Sequence, residues 1–396
     1  MSKTVCRLFL LFVCFSAISC KSKANSLNTT QKIKVGAEAM SQFLPLLKGK
    51  RVGLVVNHTS TIGETHLLDT LLSRNVNVQA IFAPEHGFRG TADAGAHIDN
   101  SKDAKTGILI VSLYGDNKKP TASQLKDIDI LLFDIQDVGV RFYTYISTLH
   151  YVIESASENN KPLIVLDRPN PNGHYVAGPV LEKAFRSFVG MNPIPVVYGL
   201  TMGELANTIN GENWAGHKKC DLTIIKCENY THSTTYVLPL KPSPNLPNQQ
   251  SVLLYPSVCL LEPTHISVGR GTEHQFQVLG GPDKNLGEYH FIPVDKPGAQ
   301  NPVNEGISCY GKDLTKVDAM VMGFDLHLLF DFYNNFTNKK AFFTNEKFFN
   351  LLVGNDWILA DLKAGKTPEE VEAKWQADLE AFKKLRKNYL LYPDFE

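Results

Sequence analysis

Residues 51–57, RVGLVVN, begin a series of short apolar runs that returns at 78–84 (VQAIFAP), 107–115 (GILIVSLYG), 128–136 (IDILLFDIQ) and 162–169 (PLIVLDRP). Their length and their Val, Ile and Leu content predict strands buried on both faces. Between them, 66–75 (HLLDTLLSRN) and 148–160 (TLHYVIESASENN) carry apolar residues at helical spacing. This alternation predicts a Rossmann-like, doubly wound α/β domain with a mostly parallel sheet over 33–215. The turn after the first run, VVNHTSTIG at 55–63, lacks Gly-x-Gly-x-x-Gly, which argues against a dinucleotide; no cofactor is expected.

The rhythm changes beyond residue 215. Prolines crowd 238–257 (LPLKPSPNLPNQQSVLLYPS) and glycines 268–282 (VGRGTEHQFQVLGGP), predicting a second, smaller α+β domain over 216–396. Its clearest helix starts at Thr367, with Pro368 in the first turn and Glu370 completing a capping box. Val371, Trp375, Leu379, Phe382 and Leu385 follow as one apolar stripe.

The 396 residues are 43% hydrophobic and 20% charged, with 40 Lys plus Arg against 40 Asp plus Glu. That balance reads as globular and lacks the basic footprint that grips phosphates, so nucleic acid is not an expected partner. Residues 1–19 have the layout of an export signal: Lys3 and Arg7, the apolar stretch Leu8 to Ile18, then Ser19 before Cys20. Cys20 is the expected lipidated first residue and 20–32 a polar tether. The expectation is an exported protein, periplasmic or at the outer membrane, held by a lipid anchor alone; plain secretory cleavage exports it equally. Cys220, Cys227, Cys259 and Cys309 do not make a disulfide scaffold, although Cys220 and Cys227 suit either a bridge or two buried thiols. No Cys-x-x-Cys or His-Glu-x-x-His appears, and no metal site is expected.

Polar clusters close the predicted strands: Asn57-His58-Thr59, Pro84-Glu85-His86-Gly87, Asp134-Ile135-Gln136-Asp137 and Asp167-Arg168-Pro169-Asn170. In open α/β sheets ligands bind at this end, so all four are expected to face one crevice. Glu85 beside His86 on a glycine-hinged loop suits a general acid, and equally suits an ion pair with Arg89 across a turn. Asp134, Gln136, Asp137, Arg141 and Tyr143 form a mixture suited to binding a sugar, and equally to an internal Asp–Arg network. Around Arg270, Gly269 and Gly271 permit close backbone approach to a ligand, or simply a glycine-rich turn. Glu204, three residues after Thr201, is assigned to helix capping. The absence of Gly-x-Ser-x-Gly lowers a serine esterase reading.

Taken together, PEHGFRG (84–90), DIQDVGVRFYTY (134–145), LDRPNPNG (166–173) with GPVL (178–181), GLTMGELAN (199–207), SVGRGT (267–272) and FKKLRKNYLLY (382–392) resemble the bacterial exo-β-N-acetylmuramidases, in order and over nearly the whole mature chain. The resemblance implies a glycoside hydrolase with a Rossmann-like domain and a smaller α/β domain. It implies release of N-acetylmuramic acid from the non-reducing end of peptidoglycan fragments. Carried over by motif, Glu85 is the acid/base, and Arg89, Arg141 and Arg270 are the motif arginines. Where members read Glu-Gly-Thr-Asn, this chain has Glu262-Pro263-Thr264-His265, and proline restricts the backbone there. For a second carboxyl group Glu262, Asp137 and Asp167 are the candidates in falling order, unless the substrate's own acetamido group serves. His86, Arg89, Asp134, Gln136, Arg141, Tyr143, Asp167, Asn170 and Arg270 are the expected substrate contacts. Two rival readings are a non-catalytic muropeptide-binding lipoprotein and a cell-wall amidase or esterase.

Overall fold

In the computed structural model, which describes residues 31–88, 101–216 and 218–396, each predicted apolar run is a strand. They are β1 (Arg51–Val56), a short hairpin β2 (Thr61–Ile62) and β3 (Thr65–His66), β4 (Asn77–Ala83), β5 (Ser101–Lys102), β6 (Leu109–Ser112), β7 (Ile130–Asp134), β8 (Leu163–Leu166) and β9 (Leu222–Ile225). The main sheet has the order β5-β6-β4-β1-β7-β8-β9, parallel throughout except at β5. Alternation along β1 shows why both faces must be covered: Val52, Leu54 and Val56 point into one core, Val55 into the other. Gly53 lies between them because a side chain there would run into Leu131 and Phe82 on the neighbouring strands.

Helices α1 (Met40–Leu47) and α2 (Leu67–Ser73) cover the first face through Phe43, Leu47, Leu68 and Leu71. On the second face lie α3 (Tyr145–Glu158) and α4 (Met202–Gly211), packed through Ile146, Leu149, Leu205 and Ile209. The doubly wound expectation holds. Thr201 and Glu204 form the expected capping box at the start of α4, and Glu204 Oε1 also meets His232 Nε2 at 3.0 Å.

The expected boundary at 215/216 falls short of the last strand, since β9 lies at 222–225 and pairs with β8. A separate three-stranded antiparallel sheet, β10 (Val278–Gly281), β12 (Cys309–Asp313) and β11 (Tyr289–Phe291), forms the smaller part. The second-face core runs without a break from Val55 and Leu149 to Leu260, Phe276, Phe342 and Phe382. Ile33–Glu396 is accordingly one unit.

At the C-terminus the Thr367–Glu370 box forms as expected. The helix is interrupted by a 3-10 turn at Ala373–Trp375 before resuming at Gln376–Arg386. Val371, Trp375, Leu379 and Phe382 are buried, but Leu385 is only half-buried and Arg386 takes the interior place, donating to Gly199 O and to Asp394. Cys220 and Cys227 are both buried free thiols.

Candidate active site

The sheet order brings the C-terminal ends of β6, β4, β1 and β7 side by side, and a cleft of about 470 Å³ opens beyond them. One wall comes from the segments after β4, β6 and β7: Glu85, His86, Tyr114 and residues 142–145. The opposite wall comes from α5 (Gln249–Val258) and the 3-10 turn Cys259–Leu261, which present Tyr255, Cys259 and Glu262, and from Arg270 and Phe276 beside the small sheet.

Glu85 stands on the turn after β4, where His86 (φ 67°) and Gly87 (φ 73°) both take the left-handed conformation. A non-glycine residue held there is strained, and such strain is characteristic of sites whose geometry matters. Glu85 is half-buried, and its Oε2 accepts a 2.6 Å hydrogen bond from Thr144 Oγ1.

Across the cleft, Glu262 is tied down on both oxygens. Arg270 Nε and Nη2 lie 2.7 and 2.6 Å from Oε1. Cys259 Sγ donates to Oε2 at 3.3 Å; burial pushes that thiol well above its usual range, so it keeps its proton. Arg270 in turn lies over the Phe276 ring, 5.1 Å from its centroid. Gly269 and Gly271, both at φ 79°, serve the chain itself: a side chain on either would strike His274 O or Val294 O. The glycines permit the backbone crossing that carries Arg270, which is the turn reading, and no ligand approach is needed to explain them.

The other expected contacts fall elsewhere. Asp134, fully buried, pairs with Arg168 Nε at 2.5 Å and Nη2 at 2.9 Å. Gln136 spends its amide on Asp137 O and Pro169 O, each at 2.8 Å. Asp137 accepts from Gly139 N at 2.6 Å and from Tyr198. Arg141 is fully buried and donates to Pro179 O, Ile194 O and Leu352 O. Asp167 accepts from Thr201, Gly203 N and Tyr392, and Asn170 bonds to Leu200 O and Asn172 N.

Of the two readings offered for the 134–145 segment, the internal network is the one the structure contains. Asp134, Gln136, Asp137, Arg141, Asp167 and Asn170 spend their hydrogen bonds within the protein and none of them lines the cleft, although Gln136 Oε1, Asp137 Oδ1 and Arg141 Nε are left without a partner among the described residues. His86, Tyr143, Glu262 and Arg270 share the cleft with Glu85. Arg89 and Cys20 lie outside the described residues. His265 is exposed and stacks on Phe336, away from the cleft lining.

Sequence reasoning misses Thr144, Tyr145, Tyr255, Cys259, Tyr114 and Phe188, all of which line the cleft. For Thr144 and Tyr145 the signal is present, since they end the segment DIQDVGVRFYTY. Phe188 enters from a loop with no motif. It stacks on Tyr151 and lies 6.0 Å from Tyr114, with Lys118 Nζ 5.0 Å from its centroid. Among the described residues no group of His, Cys, Asp and Glu is arranged to hold a metal ion.

Known proteins share this fold. Residues 52–250 match the family described as exo-beta-N-acetylmuramidase NamZ, N-terminal, and residues 253–392 match its C-terminal counterpart. The chain is 36% identical over 421 residues to the peptidoglycan beta-N-acetylmuramidase NamZ of Bacillus subtilis (strain 168), covering 99% of this chain and 100% of that one. A DUF1343 family protein from Bacteroides fragilis NCTC 9343 superposes with a TM-score of 0.85 at 46% identity, covering 92% of this chain and 99% of that one. A second from the same organism gives 0.81 at 32% identity, covering 91% and 99%. With both parts matched in order and a relative aligned from end to end, the chain belongs to the exo-beta-N-acetylmuramidase NamZ family.

Proposed function

We propose that this protein is an exo-acting glycoside hydrolase that releases N-acetylmuramic acid from the non-reducing end of peptidoglycan fragments, with Glu85 as its general acid/base. The observation that carries the reading is that two carboxyl groups, Glu85 and Glu262, line one cleft from opposite walls. Glu262 is paired with the Arg270 guanidinium. Glu85 accepts a hydrogen bond from the Thr144 hydroxyl. Two carboxyl groups are what glycosidic cleavage uses, one giving a proton to the departing oxygen and the other facing the positive charge that builds on the sugar. Glu85 then protonates the leaving oxygen. Glu262 stabilises the oxocarbenium-like centre, or steers the attacking water or the substrate's acetamido group. Tyr143 and Tyr145, whose ionisation burial pushes upward, remain phenols on the cleft wall.

The test is turnover of a MurNAc-GlcNAc disaccharide and of a chromogenic β-N-acetylmuraminide by Glu85→Gln. A loss of roughly 100- to 10,000-fold on the disaccharide is expected. Near wild-type turnover would reject Glu85. Absence of turnover in the wild-type protein, with muropeptide binding retained, would favour a binding protein; release of peptide or acyl groups would favour an amidase or esterase.

The same reading places the protein outside the cytoplasm on a lipid attached at Cys20. The charged, apolar and small-residue order of 1–20 supports it. Among the described residues no helix is long and apolar enough to cross a membrane. Metabolic labelling with a fatty acid, lost in Cys20→Ser, is the expected result.

A further inference from the structure

The chain between β9 and α5 reaches the cleft through the turn Ser243-Pro244-Asn245-Leu246, closed by a 3.3 Å hydrogen bond from Leu246 N to Ser243 O. Asn245 lines the cleft yet is only 4% exposed. Its Nδ2 donates to Gly298 O at 2.5 Å. A backbone carbonyl can only accept, so the amide nitrogen must face Gly298 and the orientation of the side chain is fixed. Oδ1 therefore faces away from that bond. It has no hydrogen-bond partner among the described residues and, unlike Gln136 Oε1 and Asp137 Oδ1, it is not sealed from solvent. A nearly buried acceptor that stays open on a cleft is matched to a ligand that donates.

The segment that carries this oxygen is held at both ends. Lys241 O meets His58 Nε2 at 2.8 Å, Pro242 O accepts from Tyr143 and Tyr145 at 2.9 and 3.3 Å, and Asn248 caps α5 by accepting from Ser251 N at 3.0 Å. Between these points Pro242, Pro244 and Pro247 restrict the backbone. An acceptor fixed before its ligand arrives loses little freedom on binding, so more of the hydrogen bond appears as affinity.

Beside Asn245, Leu246 also lines the cleft. It belongs to one apolar cluster with Phe142 and Tyr255, two further lining residues whose rings meet edge to face at 5.4 Å. An acceptor oxygen with apolar surface next to it matches an acetamido group, which carries a donating N–H and a methyl close by. A sugar hydroxyl supplies the donor without the methyl.

We propose that Asn245 Oδ1 accepts the N–H of the 2-acetamido group of N-acetylmuramic acid, with Leu246 against its methyl, which makes Asn245 a specificity-determining residue. The inference rests on the reading that this cleft takes N-acetylmuramic acid.

The experiment is calorimetric titration of the full chain with N-acetylmuramic acid and with its analogue bearing an ester oxygen in place of the acetamido N–H. The ester leaves Oδ1 without a donor, and the wild-type protein is expected to bind it roughly 5- to 150-fold more weakly. In Asn245→Ala that ratio is expected to fall by at least about 5-fold. Asn245→Ser, which keeps a polar residue in the turn but cannot reach as far, is expected to lower it too and serves if the alanine variant does not fold. Loss of the Gly298 bond weakens both ligands alike, so the ratio reports Oδ1. Equal binding of the two ligands by the wild-type protein, or an unchanged ratio in the variants, would overturn the proposal. Turnover of MurNAc-GlcNAc by the wild-type protein separates the two failures. With turnover present, either result removes only the role of Asn245; with neither turnover nor binding of N-acetylmuramic acid, the reading of the cleft fails and the inference with it.

Discussion

Arg270 grips Glu262 by a single oxygen: its Nε and Nη2 converge on Oε1 at 2.7 and 2.6 Å. Arg270, one of the expected substrate contacts, is thus already paired inside the site, where its side chain fixes Glu262.

Arg270→Lys is therefore expected to depress turnover generally. Lysine keeps the charge but not the planar fork. A loss of about 1.5–3 kcal/mol, the scale of a charge-assisted hydrogen bond, is expected in kcat/KM on paired muraminide and glucosaminide substrates alike. A change confined to the ratio between the two would instead make Arg270 the reader of the lactyl ether carboxylate by which muramic acid differs from glucosamine.

That ratio is expected to respond to Lys118. Its ammonium sits over Phe188, a ring of the cleft wall. Lys118→Gln should weaken the preference for muraminide by about 1 kcal/mol while leaving glucosaminide hydrolysis nearly unchanged, read from specificity constants on the same pair.

Arg141 is expected to matter for folding. Replacing it by Met removes the donor from the carbonyl oxygens of Pro179 and Leu352, while that of Ile194 keeps the Leu181 N–H. Each unsatisfied group costs about 1–3 kcal/mol, so a loss of roughly 2 kcal/mol or more is expected in urea denaturation. A variant as stable as the wild type, but weak in substrate binding, would return Arg141 to the cleft.

Asp137 gives the pH dependence of stability a definite sign. Burial outweighs its hydrogen bonds from Tyr198 and Gly139 and pushes its pKa up from 3.8 to about 6. Between those values the folded chain holds a proton that the unfolded chain has released, so stability falls as pH rises through the window and stays reduced above it. Asp167, also pushed up to about 6, adds the same slope. In Asp137→Asn part of that slope should vanish, seen as a smaller difference between denaturation midpoints at about pH 4.5 and about pH 7. An undiminished slope would mean that Asp137 titrates normally.

The strands at 51–56, 77–83, 109–112, 130–134 and 163–166 were legible in the sequence, because a strand covered on both faces must be apolar at every position and such runs leave few alternatives. The Thr201 and Thr367 capping boxes were legible for a similar reason, each being closed within four residues. Motif order over the full length identified the family. Which polar residues at the strand ends line the cleft became visible only in the folded chain. Asp134 could be assigned only once Arg168, on the neighbouring strand end, was seen to take both its oxygens. Arg141 was assigned by carbonyls as distant as Leu352, and Thr144 by a carboxylate 59 residues before it. A buried polar side chain and a ligand-facing one carry the same chemistry, and what separates them is whether the folded chain supplies the partner. That depends on which residues the sheet order and the shared core bring together, and spacing along the chain does not encode it.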